Sequence, residues 1–166
     1  MRLFKVCMLG AYAVGKTSLV ARYVQGVFSE RYQTTIGVKI DRKDVEVGSE
    51  TARLVLWDIN GEDRFLKVQP SYVRGAAGCL FVIDGTRAAT LETVEGLRDM
   101  VRTHVGDVPS LCLVNKADVQ DQWELSLAEV HGALAPTGVV LATSAKTGEG
   151  VEVAFTELAQ RILAEN

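Results

Sequence analysis

No stretch of this sequence approaches the ~18 consecutive apolar residues that a membrane-spanning helix needs. The longest apolar runs, such as Gly78-Cys-Leu-Phe-Val-Ile83, are the size of single strands. The opening segment, Met1-Arg-Leu-Phe-Lys-Val-Cys-Met-Leu9, has no apolar signal-peptide core, because charged residues interrupt it. A cytoplasmic location is therefore expected. Neither charge sign is in excess: 18 Lys and Arg face 21 Asp and Glu, a formal net charge of −3, which argues against general nucleic-acid binding. Cysteine is scarce, and Cys7, Cys79 and Cys112 each sit inside an apolar strand-like run. That placement predicts buried reduced thiols and excludes a disulfide framework. The two histidines, His104 and His131, lack metal-ligand spacing and read as surface or capping residues, and Trp123 with the acidic Asp118–Glu124 segment reads as a solvated loop and helix entry. Repeats, low-complexity segments and internal linkers are missing as well.

What is present is an ordinary globular composition, 48 % hydrophobic and 23 % charged over 166 residues, which rules out disorder. That length predicts one domain, 1–166, large enough to bury a core. Short apolar runs alternate with helical periodicity. Leu3–Leu9 reads as a strand ending at Gly10, and Lys16–Gln25 as a helix with Leu19, Val20 and Tyr23 on one face. A polar stretch without period, Gly26–Thr35, follows. Val38–Val47 and Thr51–Asp58 form two strands around a Gly48-Ser49 turn. After the irregular Ile59–Gly75 come a buried strand, Gly78–Asp84, and a helix carrying Leu91, Val94, Leu97, Met100 and Val101. Leu111–Val114 and Val139–Ala142 are further strands, separated by a capping box, Ser126-Leu-Ala-Glu129, that opens a short helix. Val151, Phe155, Leu158 and Ile162 mark a closing helix. The alternation predicts an α/β fold, a mostly parallel sheet with one antiparallel edge strand and helices on both faces. Ligands of such sheets bind beyond the carboxyl ends of the strands.

The chemistry-bearing motifs fall at those ends. Gly10-Ala-Tyr-Ala-Val-Gly15-Lys16-Thr17 matches the phosphate loop G-x-x-x-x-G-K-[ST] between a strand and a helix. Its glycines let the backbone N–H groups around Ala13, Val14 and Gly15 turn toward phosphate oxygens, and the helix N-terminus at Lys16, Thr17 and Ser18 adds partial positive charge. Lys16 can reach the β- and γ-phosphates, and the Thr17 hydroxyl can ligate Mg²⁺. Asn115-Lys116-Ala117-Asp118 follows a strand. The Asp118 carboxylate can accept from both N1–H and the 2-amino group of guanine, a donor pair that adenine lacks. The Lys116 stem can lie along the base, and Asn115 can tie this loop to the phosphate loop. Ser144-Ala145-Lys146 follows another strand, where the Ala145 amide can meet the guanine O6. Asp58, at a strand end in Trp57-Asp58-Ile59-Asn60-Gly61-Glu62, can hold Mg²⁺ through a water, and Gly61 lets a backbone N–H approach the γ-phosphate. Either hydroxyl of Thr34-Thr35 can complete the metal shell, or both can serve as ordinary loop caps.

These stretches stand in the order and spacing of the Ras-superfamily small GTPases, which the chain resembles over nearly its whole length. Thr35-Ile36-Gly37-Val38, Trp57-Asp58, Arg64-Phe65, Ser71-Tyr72-Val73-Arg74-Gly75-Ala76 and Asp84-Gly85-Thr86 are similar to the Rab branch. The resemblance implies a P-loop NTPase fold with a six-stranded sheet and five helices, and a molecular switch that binds GTP or GDP with Mg²⁺ and hydrolyses GTP. It also implies that Thr35 is the metal-binding threonine, that Phe28 packs against guanine and that Tyr32 closes over the phosphates. Protein effectors and regulators would read Gly26–Gly37 and Ile59–Arg74, whose order depends on the γ-phosphate. A monomer is expected.

The sequence departs from the family pattern in four ways. Glu62 stands where a glutamine usually orients the attacking water, so slow hydrolysis is expected, with Glu62, Lys16 and Gly61 as the catalytic positions. Tyr12 replaces a small residue of the phosphate loop and can obstruct an arginine finger or turn to solvent. Asn60 replaces an alanine. No prenylation cysteine or basic tail precedes Asn166, so the sequence is not expected to anchor itself to a membrane unless a partner recruits it. The alternative is a nucleotide-bound interaction module with negligible hydrolysis. A kinase or ATPase is disfavoured by Asn115–Asp118 and by the lack of room for a lid.

Overall fold

The computed structural model describes residues 1–30, 37–61, 63, 67–135 and 138–166. Alternation of buried residues along each strand sets its architecture. In β1, Arg2–Gly10, Phe4, Val6 and Met8 enter one core cluster while Cys7 and Leu9 enter a second on the opposite face. Period-two side chains on a sheet covered twice require this division. The other strands are β2 (Val38–Val47), β3 (Glu50–Ile59), β4 (Gly78–Asp84), β5 (Ser110–Asn115) and β6 (Val139–Ala142). They form one six-stranded sheet in the order β2-β3-β1-β4-β5-β6, parallel except for the β2–β3 hairpin at the edge. Gly48 turns that hairpin with φ 61°, and β3 runs from Glu50 to Ile59, somewhat longer than its apolar core indicates.

Helices α1 (Lys16–Gln25) and α4 (Val151–Glu165) cover the face that buries Met8, Leu54 and Leu80. Tyr23 of α1 stacks on Phe155 of α4, ring centroids 3.9 Å apart. Helices α2 (Ala89–His104) and α3 (Leu127–Leu134) cover the face that buries Phe81 and Val114. Helix α1 stops where Gly26, in the left-handed region, donates its N–H to Arg22 O. Helix α3 starts where Ser126 Oγ accepts the Glu129 N–H at 3.1 Å, the capping expected from the sequence. All three cysteines are free and buried, and both histidines are exposed.

The described residues contain four α-helices, together with 3-10 segments at Pro70–Tyr72 and Ala117–Gln122. Trp123, read from the sequence as part of a solvated acidic loop, is half-buried against the α2–α3 core cluster. Among the described residues no helix is long and apolar enough to cross a membrane.

Candidate functional site

The carboxyl ends of β1, β3 and β5 and the loop after β6 converge on one cleft of about 250 Å³. The loop after β1 has the geometry of an anion cradle. Ala13 and Gly15 have φ of 64° and 103°, and the N–H groups of Ala13, Val14 and Gly15 donate to no acceptor among the described residues. Left-handed backbone at an alanine costs ~1–2 kcal/mol, so the surrounding structure must hold it in place. Asn115 is part of that support: its Nδ2 donates to Val14 O at 2.9 Å, while Thr143 Oγ1 donates to its Oδ1 at 3.1 Å. A Cβ at Gly15 would stand 2.4 Å from Asn115 Nδ2, so the bridge requires glycine there.

Lys16 is buried, and its Nζ donates to Gly10 O at 3.2 Å and Ala11 O at 3.1 Å. Burial pulls its pKa down to about 8; Asp58 opposes that pull and Arg87 adds to it. Thr17 Oγ1 donates to Asp58 Oδ2 at 2.7 Å. A hydroxyl and a carboxylate side by side, next to a phosphate cradle, suit Mg²⁺, which takes hard oxygen ligands and keeps several waters. Among the described residues no group of three or more His, Cys, Asp or Glu side chains could hold a metal. Gly61 approaches the phosphate loop so closely that a Cβ would stand 2.5 Å from Tyr12 Cα and 2.7 Å from Tyr12 N. Tyr12 lines the cleft with 43 % of its surface exposed.

At the other end of the cleft stand Phe28, Asn115, Lys116, Asp118, Ala145 and Lys146. Ser144 Oγ donates to Asp118 Oδ1 at 2.7 Å and accepts the Thr147 N–H at 3.1 Å, which orients the carboxylate. Lys116, with φ 74°, places its Nζ 2.7 Å from Asp84 Oδ2. The sequence-read residues Ala13, Gly15, Lys16, Thr17, Ser18, Phe28, Gly61, Asn115, Lys116, Asp118, Ala145 and Lys146 therefore share one cleft. Val14, Asp58 and Ser144 stand just behind its wall, bonded to Asn115, Thr17 and Asp118. Tyr32, Thr34, Thr35, Glu62, Arg64 and Phe65 lie outside the described residues.

The motifs alone did not reveal the hub at Asp84. Its carboxylate is buried at the end of β4 and takes Lys116 Nζ, Arg87 Nε at 3.0 Å, and the Thr86 N–H and hydroxyl. Burial raises its pKa, but Lys116, Thr86 and Arg87 outweigh that effect and hold it below the usual range. Arg87 also donates to Tyr12 O at 2.8 Å, linking the base end of the cleft to the phosphate loop. One sequence signal existed: a carboxylate closing a fully buried strand must find partners. Trp123 belongs to the same frame. Its Nε1 donates to Lys116 O at 2.9 Å, and its ring leaves no room for a Cβ at Gly85, which would stand 2.3–2.5 Å away. Farther along the sheet, Lys5 Nζ sits 3.7 Å from the Trp57 ring centroid and donates to Arg74 O at 2.7 Å.

Comparison with known proteins gives consistent matches. A family model described as Ras family matches residues 5–164. The Ras-related protein Rab-21 of Dictyostelium discoideum is 32 % identical over 162 residues, covering 96 % of this chain and 76 % of that protein. The Ras-related protein Rab-19 of Mus musculus is 32 % identical, with 99 % and 77 % covered. The Ypt/Rab-type GTPase YPT7 of Saccharomyces cerevisiae is 34 % identical, with 99 % and 83 % covered.

Proposed function

Because the chain belongs to the Ras superfamily of small GTPases, on its Rab branch, we propose that this cleft binds GTP or GDP with Mg²⁺ and hydrolyses GTP slowly. Membership carries guanine-nucleotide switching, GTPase activity in general, and effector and regulator partners. The observation that supports the site assignment is the meeting of three loops in one cleft: the phosphate cradle, the Asp118 loop and the Ala145 loop. Ala13, Val14, Gly15, Lys16, Thr17 and Ser18 hold the phosphates, with Lys16 on the β- and γ-oxygens. Asn115 fixes the cradle to the base loop, Asp118 and Ala145 select guanine, and Phe28, Lys116, Ser144 and Lys146 frame the base. Thr17 and Thr35 are the direct metal-binding positions, with Asp58 acting through water. Mg²⁺, typical of the family, supplies neutralisation of phosphate charge. Tyr32 closes over the phosphates, and Gly61 offers its N–H to the γ-phosphate. Effectors and regulators read Gly26–Gly37 and Ile59–Arg74. The domain is a monomeric unit spanning 1–166.

The slow rate rests on Glu62. A carboxylate can orient water, but it brings negative charge to a transition state that already spreads charge over the phosphoryl oxygens. Unit charges ~4 Å apart repel by about 4 kcal/mol at an effective dielectric of 20. Only the part that grows toward the transition state slows the step, ~1.5–2 kcal/mol or roughly ten- to thirtyfold. Glu62→Gln is expected to accelerate single-turnover GTP hydrolysis by that factor with little change in nucleotide affinity. Slower hydrolysis in Glu62→Gln would instead make Glu62 itself the productive water-orienting group. The exposure of Tyr12 at the cleft favours a second reading, an interaction module whose hydrolysis is negligible. Tyr12→Gly separates the two: it restores stimulation by an arginine-bearing activator in a slow GTPase, and leaves an inert module inert.

A further inference from the structure

The residues around Ala145 belong to no helix or strand, so something outside the loop must set their backbone. Arg22 of α1 does this. Its Nε donates to Ala145 O at 2.8 Å, one terminal nitrogen donates to Lys146 O, and the other reaches Gly26 O at 3.5 Å. The side-chain stem runs beneath Gly148, where a Cβ would stand 3.7 Å from Arg22 Cδ. The guanidinium has no carboxylate within salt-bridge distance among the described residues, so its donors go to backbone carbonyls. A planar fork of N–H donors fixes the planes of the groups that accept from it.

Three successive peptide planes are pinned in this loop. Gly148 N–H holds Ser144 O at 2.8 Å, and Arg22 holds the next two planes through Ala145 O and Lys146 O. The N–H groups of Ala145 and Lys146, both cleft-lining residues, donate to no acceptor among the described residues. Ala145 is only 5 % exposed, and an unpaired N–H on a buried residue is costly unless a ligand meets it.

We propose that Arg22 is a positioning residue for base recognition. It orients the Ala145–Lys146 backbone so that these N–H groups stand ready for an acceptor at position 6 of the purine. This role rests on the guanine reading above. It also ties that loop to α1, the helix whose first residues, Lys16 and Thr17, serve the phosphates.

The test compares GDP, 6-thioguanosine diphosphate and ADP by equilibrium binding to wild type, Arg22→Met and Arg22→Lys. Sulfur for oxygen at position 6 weakens that acceptor while keeping N1–H and the 2-amino group for Asp118. Arg22→Met keeps the stem beneath Gly148 and removes every donor. Wild type is expected to prefer GDP over the thio analogue about five- to tenfold, the value of one hydrogen bond. Arg22→Met should collapse that preference to about twofold through lost GDP affinity. Arg22→Lys, with one donor point left, should fall between. Equal loss for GDP and the thio analogue, or an unchanged ratio, overturns the role. Wild type that fails to prefer GDP over ADP overturns the guanine reading, and the role of Arg22 with it.

Discussion

Lys16 shows how much one buried cation can decide. In the folded chain its pKa sits near 8 because burial disfavours the ammonium. Between about 8 and its ordinary 10.5 the unfolded chain binds more protons, so the fold gains stability as pH rises through that window. Phosphate oxygens reverse the balance by favouring the ammonium. Nucleotide binding above pH 8 should therefore take up a proton, and affinity should fall as pH rises. Calorimetric titration of GDP at pH 9, in buffers of different ionisation enthalpy, is expected to show uptake of about one proton, lost in Lys16→Met. Wild type without uptake would mean that Lys16 does not meet phosphate. Asp118 carries the matching prediction at the base. Asp118→Asn should weaken GDP binding and shift preference toward xanthosine diphosphate, whose 2-oxo group suits an amide donor. Competition between the two nucleotides checks it, and an unchanged preference would remove Asp118 from base selection. Such residues were legible because their motifs are short and local. Arg22 was not, since the carbonyl it holds lies 123 positions away and carbonyls leave no mark in a sequence.

At the scale of elements, the site depends on how neighbouring strands end. β1 and β3 pair in parallel with Met8 opposite Asp58, so the residues that follow each strand are brought side by side. That is why Gly61 abuts the Tyr12 backbone. Gly61→Ala forces the two chain exits apart, because the atoms in the way are backbone and not a flexible side-chain tip. GDP affinity is expected to change by less than about threefold, while the preference for GTP over GDP drops roughly tenfold as one phosphate-directed N–H is displaced. Binding titrations with both nucleotides measure it, and parallel losses would deny Gly61 a γ-phosphate role. Strands and the hairpin could be read from the sequence because apolar alternation and Gly48 are strong signals. The 3-10 segments could not: Pro70–Tyr72 spans three residues, too few to show a period. Trp123 was misread because its acidic neighbours point to solvent while its ring packs on Gly85, a contact set by β4 and invisible locally.

For the whole molecule, stability and occupancy are linked. The cleft joins loops from three strands and the segment after β6, so a ligand there binds only the folded chain. Saturation at ~1,000 times Kd adds about 4 kcal/mol to stability. Thermal melts of GDP-loaded protein should therefore fall on chelation of Mg²⁺, with a smaller effect on nucleotide-free protein and on Thr17→Asn. An equal effect on all three would take Thr17 out of the metal site. The core is a separate reservoir. Phe155 is fully buried and stacked on Tyr23, so Phe155→Ala should cost ~3–5 kcal/mol in denaturant unfolding while leaving the GDP-to-ADP preference intact. The sheet order and the two-faced core followed from strand–helix alternation. The four α-helices of the described residues followed from helical periodicity.

The chain has only two tryptophans, and they stand in different functional neighbourhoods. The indole of Trp123 is bonded to the carbonyl of Lys116 at the base loop. That of Trp57 lies under the Lys5 ammonium, which also donates to the Arg74 carbonyl, at the end of the segment proposed to sense the γ-phosphate. The protein thus carries two intrinsic fluorophores that can be read separately after Trp57→Phe or Trp123→Phe. Emission from Trp123 should respond alike to GDP and GTP, whereas emission from Trp57 should tell them apart. Base capture and switching would then be timed in one unlabelled molecule.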